Sequence, residues 1–270
     1  MNHFFAHLQV HNGPLFWFGC CCGLAGFMFL VLARFSTIRV RGSNAWLKPF
    51  KFAFSIGLFC WTMGWYTGEL NAPGPVALYT WVTIIGLGFE LVYITLQAGR
   101  ERLSHYNASS PVSSFLSVMM GVAAAVVTLW TGYIGVLFGR TDLPHLPNQY
   151  VLSIRIGILL FVVFTFQGAF MGSRRSHTVG GPEDGPGLPL LKWSTRYGDL
   201  RVAHFLGMHA LQVLPLLSWY MLRNPVDTGI VGSVYGLLAV YALVRALQGK
   251  AVINLIQRPL SFSSKTRYQR

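Results

Sequence analysis

VALYTWVTIIGLGFELVYITLQA, residues 76–98, decides the fold class: the run holds one charged side chain, Glu90, and is otherwise apolar or weakly polar. A helix of this length, rising 1.5 Å per residue, covers a hydrocarbon core of about 30 Å. Comparable runs recur at 14–34, 50–68, 115–139, 150–172, 200–222 and 229–244. Lipid cannot hydrogen-bond the backbone, so each run predicts a helix that satisfies its own peptide groups. Seven such runs predict an all-α fold, a polytopic membrane helix bundle, with short connections such as 71–75 making neighbours antiparallel. One integral-membrane domain over residues 1–270 is expected, closing in a basic tail at 245–270.

Composition agrees. The chain is 53% hydrophobic, 14% aromatic and only 11% charged, where a soluble protein carries about 25% charged residues. The segment 1–12 has three His but no Lys or Arg. It lacks the basic region of a cleavable leader, so the first helix is expected to stay.

The formal net charge of +13 raises the question of nucleic acid, and the placement of the charges answers it. Of the 21 Lys and Arg residues, all but Arg140, Arg155 and Arg223 fall in alternate connections and the tail. Such asymmetry sets orientation: the basic connections face the cytoplasm, the N-terminus lies outside and the C-terminus inside, in a plasma (inner) membrane. The cations then meet membrane lipids with anionic headgroups, and no nucleic-acid partner is expected.

Four cysteines, Cys20, Cys21, Cys22 and Cys60, have neither metal-ligand nor disulfide spacing and read as small packing residues. Gly19 and Gly23 bracket three of them and predict a close helix contact within the bundle.

Polar residues inside the runs carry the functional reading. A carboxylate at membrane depth requires a partner, a proton or a ligand. Along the sixth run His204, Met208, Gln212, Pro215 and Trp219 fall within about 60° of Arg201, with His209 about 80° from it. Along the third, Glu90, Tyr93, Gln97, Arg100, Glu101 and Ser104 recur every three or four residues. Counting from the cytoplasmic ends places Glu90 and His209 at a common depth of roughly 12 to 13 Å. Gln167, His204 and Ser55 come out at roughly 6 to 8 Å. The expectation is a polar cavity open to the cytoplasmic leaflet, with Glu90, His204 and His209 as the acid–base set and Glu90 paired to His209. Lys51, Gln97, Arg100, Gln167, Arg201 and Gln212 are assigned to ligand binding, and Asp199 to capping the sixth helix.

No metal site is expected. His204 and His209 are five residues apart, where metal-binding His pairs sit three or four apart, and no His-Glu-x-x-His or Cys cluster accompanies them. The sequence assigns no cofactor. The last run has no Lys for a retinal Schiff base and no His-x-x-x-His of a membrane metal hydrolase. The functional expectation is an integral membrane protein that binds a small or amphiphilic molecule, an anion among the candidates, and has acid–base groups beside it. A proton-coupled transporter and an accessory subunit are the alternatives.

Overall fold

The computed structural model describes residues 2–252, apart from Tyr106, Ala108, Asp184, Pro186 and Pro189. The tail residues 253–270, including Arg258, Lys265, Arg267 and Arg270, lie outside the described residues. Eight α-helices are present among them: α1 (Asn2–His11), α2 (Gly13–Phe35), α3 (Leu47–Gly68), α4 (Pro73–Gly99), α5 (Pro111–Arg140), α6 (Asn148–Arg174), α7 (Leu200–Tyr220) and α8 (Pro225–Leu247). Two short antiparallel hairpins join them, β1 (Arg39–Val40) with β2 (Ser43–Asn44) and β3 (Thr178–Val179) with β4 (Gly198–Asp199).

Six helices, α2 and α4 through α8, are long and apolar enough to cross a membrane. The seventh expected span, α3, has 22 residues, about 33 Å of helix. Lys48, Lys51, three Trp or Tyr residues and several glycines make it less apolar than the other six. One helix falls where the sequence predicted no run: α1, in the segment 1–12.

Starts and stops follow local chemistry. Asn12, Ser110, Asp199 and Asn224 accept backbone N–H groups at the heads of α2, α5, α7 and α8. Proline occupies the first turn of α2, α4, α5 and α8, where its missing N–H costs no helical bond. These starts lengthen α4, α5 and α8 by a few residues beyond the apolar runs.

Helices α2 and α3 run antiparallel in close contact. A Cβ on Gly57 would stand 3.2 Å from Gly19 O, and one on Gly19 would meet the Trp61 ring. The Trp61 indole in turn donates to Phe16 O at 3.2 Å. Gly19 therefore serves packing inside the chain, while a Cβ on Gly23 would meet nothing within 4 Å. Helices α6 and α7 form the other tight pair: a Cβ on Gly207 would enter the Phe164 ring, and one on Gly157 would stand 3.0 Å from Ala210 O.

The core gathers around α3, whose Ala53, Ile56, Phe59, Cys60, Met63 and Tyr66 are buried. It reaches α6 through Phe59 stacked on Phe161 at 5.2 Å and α5 through Tyr66 against Phe138. Pro215 cannot donate to Leu211 O, the carbonyl one turn back in α7. The Tyr66 hydroxyl fills that gap, donating to Leu211 O at 2.7 Å.

Candidate functional site

Alternating connections put one end of the bundle, the basic end, where α2, α4, α6 and α8 finish and α3, α5 and α7 begin. Two polar groups lie there, one on each side of α3.

The first is built on α3, α4 and the turn after α4. That turn folds back because Arg102 N donates to Gln97 O at 2.9 Å and the Asn107 amide to Leu103 O at 2.8 Å. His105 is thereby laid over the first turns of α3, its ring 5.6 Å from Phe52. Lys48 Nζ stands 3.1 Å from His105 Nδ1, and Nε2 of the same ring stands 3.9 Å from Glu90 Oε1. Burial and the Lys48 charge hold the His105 pKa well below the usual histidine range. The ring is therefore neutral at pH 7, accepting from Lys48 at Nδ1 and presenting Nε2–H toward Glu90. Glu90 is 9% exposed, and on the same stretch of α4 Tyr93 Oη and Gln97 Oε1 are buried without a hydrogen-bond partner.

The second group lies between α3 and α7. Lys51, Ser55, Leu58 and Thr62 share one stripe of α3, and Arg201, Phe205, Met208 and Gln212 one stripe of α7, each within about 60° at 100° per residue. The backbones of these two helices are not closely packed. Near mid-length the stripes meet where Gln212 Nε2 donates to Thr62 Oγ1 at 3.3 Å, and His209 Nδ1 lies 3.3 Å from Gln212 Oε1. At the basic end the loop before α7 bridges them: Lys51 Nζ donates to Leu190 O at 3.5 Å, and Arg201 donates to Lys192 O. Between these ties Ser55, Phe54 and Phe205 are exposed. His209 and Trp193 both pack on Phe205, at 4.1 and 5.2 Å between centroids.

Asp199 fixes that loop. As expected it caps α7, accepting from Arg201 N at 3.1 Å, and it also takes Ser194 N at 2.8 Å and the Arg201 guanidinium at 2.7 Å. Burial opposes its ionisation, yet the Arg201 side chain and the Ser194 N–H hold its carboxyl below the usual carboxylate range. Farther back, Glu183 accepts from His177 N, Thr178 N and the Ser176 hydroxyl, which anchors the glycine-rich half of the same loop.

The expected pairing of Glu90 with His209 is not formed. Helix α4 packs on α3 and α5, and α7 on α6 and α8, so α3 separates the two seams. Glu90 pairs with His105, and His209 with Gln212. His204 turns from the seam to α6, where Nδ1 donates to Phe164 O at 2.6 Å and a Cβ on Gly168 would touch its ring. Gln167 donates to Leu200 O at 3.3 Å, another α6–α7 tie. Arg100 is exposed at the end of α4. Lys48 and His105 are the residues that the sequence did not join to Glu90, since the turn after α4 brings His105 there and the packing of α3 on α4 brings Lys48.

The cations Arg41, Lys48, Lys51, Lys192 and Arg201 stand close enough for each to act on at least one other. Two carboxylates offset them: Glu90 acts on Lys48, and Asp199 pairs with Arg201. The fold and this end of it are those of a multi-pass helical membrane protein with one basic end. Comparison of the chain with protein-family models, with curated proteins and with solved structures finds no match.

Proposed function

We propose that the protein crosses the plasma (inner) membrane seven times and binds an amphiphilic anion, an apolar chain with a carboxylate or phosphate head, in the side opening between α3 and α7. Helix α3 is the seventh crossing in this reading; its antiparallel contact with α2 from Gly19 to Gly57 supports it. The basic end is cytoplasmic, by the charge asymmetry.

The observation that carries the reading is the pair of facing stripes, tied at mid-length by Gln212 and Thr62 and at the mouth by the 190–193 loop. Cations sit at interface level and apolar or weakly polar side chains below them. That order matches an amphiphile lying with its head at the cytoplasmic interface and its chain in lipid. Lys51 and Lys192 have no carboxylate of their own among their described contacts.

The test is native mass spectrometry of the protein extracted in mild detergent. An anionic amphiphile should co-purify, and the Lys51→Ala/Lys192→Ala variant should lose most of it while staying folded. Equal retention by the variant would contradict the reading.

Acid–base chemistry at the other polar group, on the α4 side of α3, is a second reading, favoured by the Lys48, His105 and Glu90 line. A neutral imidazole between an ammonium and a carboxylate passes a proton through its two nitrogens. Glu90→Gln keeps shape and hydrogen bonding but cannot take up the proton, so it should retain the ligand and lose turnover.

A further inference from the structure

At the opposite end of the bundle, α1 lies across α2 and α3. Leu8 is fully buried against Gly64, Phe4 stacks on Trp65 at 5.0 Å, and Phe5 meets Trp61 edge-on at 5.4 Å. His7 shares this apolar face, with its ring 4.4 Å from Trp65 and 4.1 Å from His11. Its Nε2 is 3.6 Å from Glu69 Oε1, just past the end of α3. The other oxygen of Glu69 takes His145 Nε2 at 2.8 Å, from the loop between α5 and α6. Three segments thus converge on one carboxylate that is 9% exposed.

The other nitrogen of His7 decides what acid does. Nδ1 is buried without a hydrogen-bond partner. Neutral His7 has one N–H, and Nε2, facing the carboxylate, is where it is useful. A second proton must sit on Nδ1, where no acceptor meets it and the His11 ring is in contact. A buried donor without an acceptor is costly, and a charged one more so.

We propose that α1 is a proton-released flap, docked on the bundle while His7 is neutral and lifted when His7 takes its second proton.

The groups that face His7 are His11 from α1 itself, Glu69 from the end of α3 and, through Glu69, His145 from the α5–α6 loop. Tyr150 of α6 is reached through the Trp65 indole, which donates to its hydroxyl at 3.0 Å. Burial, then His11, hold the His7 pKa below the usual histidine range against the upward pull of Glu69. A histidine whose docked pKa lies below its free value opposes docking in acid. Docking is at full strength above the ordinary imidazole pKa of about 6.5 and weakens as pH falls through it. His145 bonds the other oxygen of the same carboxylate. That bond ties the loop to α3 and does not hold α1.

Hydrogen exchange of the full-length protein in lipid nanodiscs, corrected for the intrinsic pH dependence of exchange, tests the proposal. Amides of α1 should be protected at about pH 7.5 and exchange severalfold faster at about pH 5.5, on either side of the imidazole pKa. His7→Phe and His7→Gln should each abolish the acid response, and at least one should stay protected at pH 7.5. His145→Ala should keep the response. Equal protection of α1 at both pH values, a response surviving in both His7 variants, or one that vanishes with His145→Ala would overturn it.

Discussion

Glu90 is where residue chemistry and fold meet most sharply. A carboxylate in an apolar run requires a partner, a proton or a ligand, and in the structure His105 and Lys48 stand beside it. Which partner could not be read, because equal depth along two helices says nothing about what lies between them. A double-mutant cycle measures the group directly. Glu90→Leu should destabilise the protein by removing the counter-charge of Lys48, and Glu90→Leu with Lys48→Met should recover part of the loss. A coupling of about 1 to 3 kcal/mol is expected. Unfolding in micelles followed by tryptophan fluorescence gives the four stabilities, and strictly additive effects would mean that the two side chains do not interact.

Among the elements, the membrane helices were the legible part. Apolar runs located α2 and α4 through α8 within a few residues. Helix α1 was missed because its apolar face is short: Phe4 and Phe5 are separated from Leu8 by Ala6 and His7. The α7 seam was legible as polar but not by partner, since His204 and Gln167 serve the α6–α7 contact. Pro215 shows how one helix depends on another. Tyr66→Phe should leave Leu211 O without a donor at a cost of about 1 to 2 kcal/mol. In the Tyr66→Phe/Pro215→Ala protein the restored amide can close the helical bond, so the same Tyr change should cost much less. A loss of the same size in both backgrounds would remove the proposed compensation.

At the scale of the molecule, the charge asymmetry and α3 together predict an odd number of crossings. Reporter fusions after Gly185 and at the C-terminus should read cytoplasmic, and one after Asn71 external. A cytoplasmic signal after Asn71 would mean that α3 does not cross. At the basic end, the contacts of Lys51 and Arg201 with residues 190 and 192 could not be read from the sequence, because they depend on how a long loop folds over them.

The amphiphile site is the central claim, and Ser55 stands midway along its α3 wall. A photoreactive amino acid at Ser55 should, on illumination in native membranes, capture anionic amphiphiles well above their bulk share, and Lys51→Ala/Lys192→Ala should remove that enrichment. The same probe at Leu24 of α2, which is 73% exposed, should capture lipids in bulk proportion. Adducts at Ser55 that match those at Leu24, with or without the two lysines, would contradict the account.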